Sequence, residues 1–267
     1  MSAFELEAIG GPWARRLVRR RSGFEDVAAS DLAAGLDPLV VASARHVWTQ
    51  SAFSEYASAA SFAAIATSLL RAGAPIDLVA AAGDFVADEV IHAELSAHLA
   101  NALGGAITLD VDLNKLVRPS GVEDPVLDAA VLLVRTSCVG EALTVPLLKS
   151  ARAHAGSPVV REVIARILRD ESAHAQLGPY YLDWAASRLS DEDRVFLGRV
   201  AGVAVRAYAP LFAQGCRVEP GAGALDCATF DAAFSSALRD RVLRPLAERG
   251  IEVPADDVAT VLEAING

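Results

Sequence analysis

Two short runs in this chain repeat one pattern, Asp-Glu-x-x-His: Asp88-Glu89-Val90-Ile91-His92 and Asp170-Glu171-Ser172-Ala173-His174. On an α-helix, residues three apart share a face, so the Glu and His of each run can reach a common point. A lone glutamate precedes each run, Glu55 the first and Glu141 the second. Residues equally far from a tight turn stand level in an antiparallel helix pair. The midpoint of Glu55 and Glu89 is residue 72, inside Ala72-Gly73-Ala74-Pro75, and that of Glu141 and Glu171 is Gly156, inside Ala155-Gly156-Ser157-Pro158. Two hairpins packed together would therefore converge four carboxylates and two imidazoles.

The same faces are otherwise apolar or small, with Trp48, Ala52, Ala59 and Phe62 beside Glu55 and with Cys138 and Val145 beside Glu141. Unpaired carboxylates buried there would be very costly, whereas two divalent cations cancel their charge. The expected metal ligands are Glu55, Glu89, His92, Glu141, Glu171 and His174. Oxygen-rich ligation with one imidazole per metal suits two irons, or manganese or a mixed Mn/Fe pair. Structural zinc would favour cysteine and a closed tetrahedron. A ligand histidine normally donates its other ring N–H to a carboxylate, and Asp170 is expected to serve His92 and Asp88 to serve His174. His46 and His98 lie nine residues from a ligand glutamate, half a turn round the helix, and His154 lies at a turn. These three are expected at the surface, and Tyr56, Tyr180 and Tyr181 in packing roles.

Long helices must position these groups, and the punctuation defines them. The sequence predicts helices from about Pro38 to Arg71, Ile76 to Leu103, Pro125 to His154 and Val159 to Leu189, with Gly just past an end and Pro at the next start. Pro146 should kink the third one turn after Glu141. Between the second and third lie about 20 residues, Ala106 to Asp124, with an alternating Ile107-Leu109-Val111-Leu113 stretch; a connection this long crosses from one end of a bundle to the other. Further helices are expected from Ser190-Asp191 to about Gln214, from Phe230 to Arg249, and at the C-terminus. The reading is all-α, one domain: an arm (1–38), a di-metal four-helix bundle (39–190) and appended C-terminal helices (191–267).

Composition narrows the class. The net charge of −10 over 267 residues argues against nucleic acid, which needs a basic footprint. The local exception, Arg15, Arg16, Arg19, Arg20 and Arg21, reads as a solvated helix face or arm. No stretch of about 18 apolar residues lacks charges, so no membrane span is expected. Cys138, Cys216 and Cys227 form no CxxC pair and leave one over if two were bridged; buried or idle thiols and a cytoplasmic location are expected.

Over about residues 40 to 190 the pattern Glu, Glu-x-x-His, Glu, Glu-x-x-His resembles the ferritin-like di-iron carboxylate superfamily, with all six ligand positions matched. The resemblance implies a ferritin-like four-helix bundle with a long crossover between helices 2 and 3. It also implies O2 activation at a carboxylate-bridged di-iron centre, followed by oxidation of an organic substrate, a protein side chain or further iron. Departures sort the members. Ser96 stands where radical-forming ribonucleotide reductase subunits place a tyrosine, and Ile167 where arylamine N-oxygenases carry an extra histidine. The sole methionine, Met1, leaves no haem ligand of the bacterioferritin kind, and the cysteine-ligated iron domain of rubrerythrins has no counterpart. The expectation is a stand-alone oxygenase or oxidase of a small organic substrate, with a ferroxidase or iron-handling protein as the alternative. Small residues around Glu55 (Ser51, Ala52, Ser58, Ala59) would leave room for the substrate, with Ala52, Ala59 and Cys138 as cavity candidates. Electrons would come from a separate reductase or the substrate itself, and a homodimer is compatible with the pattern.

Overall fold

Aspartate and proline start the long helices. Asp37 accepts from Leu39 N at the head of Pro38–Arg71, and Asp124 accepts from Val126 N and Leu127 N ahead of Pro125. Proline suits these first positions because its missing N–H has no helical partner there anyway. The computed structural model describes residues 2–20, 23–24, 27, 30–208, 223 and 225–266. Among them the architecture is all-helical, with eight helices. These are α1 (Gly11–Arg20), α2 (Pro38–Arg71), α3 (Ile76–Ala102), α4 (Pro125–His154), α5 (Pro158–Ala185), α6 (Asp191–Ala207), α7 (227–247) and α8 (Ala255–Asn266). α2 and α3 form one hairpin and α4 and α5 a second, and each pair packs on the other.

The crossover is tied down along its length. Gly105 O accepts from Arg45 Nε at 2.6 Å, and Ile107 N donates to Thr49 Oγ1 at 3.1 Å. Its alternating stretch supplies a two-residue strand, β2 (Asp110–Val111), antiparallel to β1 (Ser2–Ala3). At its far end buried Asp128 collects Ser68 Oγ (2.7 Å), Arg71 and Ser120.

Two apolar clusters fill the interior. One joins Phe62, Phe85, Leu133, Val139, Leu177 and Tyr181 to the C-terminal helices through Leu197, Phe234 and Val242. The other joins Trp48, Leu95, Leu99, Val163, Ile164 and Ile167. Along each of α2, α3 and α5 the ligand-type residues fall between the two, making a polar layer inside an apolar core.

Several expectations are corrected. α4 contains an eight-residue π-helical segment, Val134–Glu141, that the sequence did not announce, and the helix runs on through Pro146. Pro146 offers no N–H to the Ala142 carbonyl, and the wider turns end one residue before it. α4 is also long and apolar enough to cross a membrane, with a mean hydropathy of 1.5, although 67% of that window is buried inside the molecule. Cys227 is disulfide-bonded and only Cys138 is a free, buried thiol among the described residues. Spacing along the chain cannot report which cysteines meet. α6 ends at Ala207, and the remainder of the helix expected to Gln214 lies almost wholly outside the described residues, as do Arg21 and Cys216. α1 buries no residue.

Candidate metal centre

Each hairpin brings one lone glutamate level with one Glu-x-x-His. Glu55 projects from α2 toward His92 of α3, with Oε2 3.8 Å from Nδ1. Glu89 Oε2 stands 3.7 Å from the same nitrogen and Glu171 Oε1, from α5, stands 3.0 Å from it. On the other side His174 Nδ1 lies 3.0 Å from Glu89 Oε1 and 2.9 Å from Glu171 Oε2. Two donor sets result, Glu55, Glu89, His92 and Glu171, and Glu89, Glu141, Glu171 and His174, each with one atom per residue inside 4.8 Å. All six expected ligands are present. Glu89 and Glu171 belong to both sets, while the other four residues belong to one each.

The cluster is dry. Glu89, His92 and His174 are fully buried, Glu171 is 1% exposed, and only Glu55 is partly open. Phe62 and Phe85 close over the His174 ring, with centroids at 5.1 and 4.2 Å. Both oxygens of Glu89 and the Nδ1 of His92 lack a hydrogen-bond partner although charged neighbours stand 3.0–3.8 Å away. Such groups are close without being aimed at one another, an arrangement that buried polar atoms rarely tolerate unless something else satisfies them. The donors fit metal ions placed between them.

Protonation in the metal-free protein has the same cause. Burial, with Glu89 and Glu171 alongside, pushes Glu55 up to about 8 despite the nearby His92 ring. Burial and the same two carboxylates raise Glu141 well above the usual range. Burial alone would lower both histidines, but the carboxylates win, raising His92 well above its ordinary value and His174 to about 11. Burial would raise Glu171 too, yet the bond to His174 and the adjacent His92 ring hold it low.

The outward ring nitrogens differ. Asp170 Oδ2 is 3.0 Å from His92 Nε2 and also takes an ion pair from Arg166, a partner that no motif announced. Asp88 Oδ2 is 3.8 Å from His174 Nε2, beyond direct hydrogen-bond length. A bond from Nε2–H to Asp170 leaves the His92 Nδ1 lone pair facing the cluster, the tautomer a metal needs. Of the remaining groups, His46 and His154 are exposed, whereas His98 is half-buried. Tyr181 is buried and donates to Val126 O, Tyr56 packs on Phe4, and Tyr180 is 61% exposed, which removes it from packing.

The π segment seats α4 against α5. Ser137 Oγ donates to His174 O (2.6 Å) and accepts from Gly178 N (2.8 Å), tying the π segment to the backbone of α5. A Cβ at Gly178 would overlap Cys138 Sγ, so only glycine lets the helices approach this closely.

A cavity of about 410 Å³ opens beside Glu55 and Glu141. Ser51, Ser54 and Ser58 form one wall, Thr144 and Leu148 another, and Ala207 and Tyr208 a third. Ala52, Ala59 and Cys138 do not line it; they are buried in packing, one helical step away from the serine face. The Ser51, Ser54, Ser58 spacing was the available signal. Tyr208 had none, since it comes from beyond the two hairpins. Burial, then the Glu141 carboxyl, pushes its phenol well above the ordinary range.

No family model, curated protein or solved structure matches the chain. What stands is a buried carboxylate and histidine cluster that could hold metal ions.

Proposed function

We propose that this chain is a ferritin-like di-metal oxidoreductase, with iron as the first choice of metal, that uses O2 to oxidise a small organic molecule. The observation that carries the reading is the pair of donor sets sharing Glu89 and Glu171. Shared carboxylates hold two cations near each other, and the four glutamates offset two divalent charges with neutral imidazoles. Bound iron would supply O2 activation and the electron transfer that the side chains cannot. Glu55, His92, Glu141 and His174 would each hold one metal, Asp170 would fix the His92 ring, and Phe62 and Phe85 would keep water from His174. The cavity against Glu55 and Glu141 favours a substrate oxidase over an iron-handling protein, which needs no room for an organic molecule. Electrons come from a separate donor or from the substrate.

Anaerobic loading of the metal-free protein with Fe(II), desalting and iron counting tests the reading. About two irons per chain are expected from two donor sets. A value near zero would sink it.

A further inference from the structure

Away from the metal centre, α1 sorts its side chains by kind. At 100° per residue, Trp13, Ala14, Leu17 and Val18 fall within an arc of about 140°, and Arg15, Arg16, Arg19 and Arg20 fall within an arc of about 140° on the other side. A helix divided in this way normally buries its apolar face, yet α1 buries none of its residues. Ala14 and Leu17 are half-buried, with Leu17 resting against the second apolar cluster. Trp13 stays 65% exposed, and Val18 and all four arginines are exposed too. Leu6 and Ile9, just ahead of the helix, are also exposed.

The helix is held at its two ends rather than along its length. Before it, Phe4 N donates to Leu109 O at 2.9 Å and the Phe4 ring packs on Phe53 and Tyr56. After it, Val27 is buried and Leu32 N donates to Ala102 O at 3.0 Å. The turn leading in is Gly10-Gly11, both left-handed (φ 77° and 66°), a conformation that glycine takes freely. A segment with so little burial between its anchors lies at the low end of local stability, so rolling α1 about its axis costs little.

A flat anionic bilayer suits this segment better than the groove of an acidic protein. A groove must enclose a helix, whereas α1 has the body of the molecule behind it and is tied at both ends. On a plane, arginine stems reach lipid phosphates while tryptophan sits at the headgroup level. Glu5 and Glu7 offset two of the four positive charges, and the whole chain carries −10. With a Debye length of about 8 Å, acidic groups on the far side of the molecule contribute little to the repulsion.

We propose that α1 is a membrane-surface helix that seats this chain on anionic lipid, an attachment independent of the metal reading. The arginines draw the helix to the surface, and Trp13 and Val18 enter the headgroup boundary as it rolls. Sedimentation of the full chain with vesicles tests this. The chain should pellet with mixed phosphatidylcholine–phosphatidylglycerol vesicles and stay in solution with phosphatidylcholine alone, and added salt should release it. Arg16→Gln combined with Arg20→Gln should weaken binding about 25-fold, at about fivefold per arginine near an anionic surface. Trp13→Ser should weaken it about tenfold, the low end for withdrawing one large apolar side chain. All three positions are exposed, so the variants should keep the parent's melting temperature. Equal pelleting with neutral and anionic vesicles, or none with either, would overturn the proposal. So would vesicle binding unchanged by Trp13→Ser together with equal affinity for poly-glutamate, which would mark the basic face as a site for an acidic protein.

Discussion

Glu89 and Glu171 differ from their four partners in serving two donor sets, and that difference is measurable. Removing His92 strips one set of its nitrogen and leaves the other with Glu89, Glu141, Glu171 and His174 intact. Removing Glu171 takes an oxygen from both. Metal counting should therefore give about one ion per chain for His92→Ala and close to none for Glu171→Ala, against about two for the parent. Equal losses in the two variants would contradict the shared arrangement. Protons compete at the same atoms. Loading must displace them from Glu55 and His174, whose folded values are raised to about 8 and about 11, and competes with protons at Glu141 and His92, both shifted upward. Calorimetry in buffers of different ionisation enthalpy should register protons released on loading, with affinity rising as pH rises. The six donors were legible because helical period and distance from a turn fix them. Arg166 was not, because a surface-type i,i+4 pair with Asp170 looks the same wherever it occurs.

Ser137 and Gly178 carry the contact between α4 and α5, and their roles separate by substitution. Ser137→Ala removes the acceptor for Gly178 N and the donor to His174 O, both buried, and should cost about 1–3 kcal/mol in denaturant unfolding. Gly178→Ala pushes a methyl into Cys138 Sγ and should cost a similar amount, about 1–3 kcal/mol, by overpacking. Adding Cys138→Ala to the second variant should return part of that loss. Purely additive costs would mean that the two residues do not press on each other. The long helices and their turns could be read from proline, glycine and aspartate at the ends. The π segment could not, since no residue type specifies wider turns; the docking of Ser137 between His174 and Gly178 is a tertiary event.

The polar layer sets how the whole molecule responds to pH without metal. Glu55 and His174 have folded values above their unfolded ones, so each stabilises fully below the unfolded value and loses that contribution as pH rises toward about 8 and about 11 respectively. Glu171 and Asp88 are shifted down, and their contribution is already complete above the ordinary carboxylate range. The metal-free protein should therefore melt at a lower temperature at pH 8 than at pH 5.5, and Mn(II) should remove most of that slope. A melting temperature independent of pH in the metal-free state would argue against a buried, proton-balanced cluster. The C-terminal helices belong to this unit, because Leu197, Phe234 and Val242 share one core with Leu133 and Leu177.

Sequence by itself determined the helices, the two hairpins and the six converging donors. Helical period and turn position are local properties, and paired Asp-Glu-x-x-His runs repeat them twice over. Tertiary structure alone decided which carboxylates are shared, which wall of α2 faces open space, and that Tyr208 reaches the Glu141 side of the site. The serine face and the Ala52, Ala59 face of α2 are a single step apart in angle, and only the helices packed around α2 determine which one is buried. The disulfide at Cys227 was decided in the same way, since spacing along the chain says nothing about closeness in space.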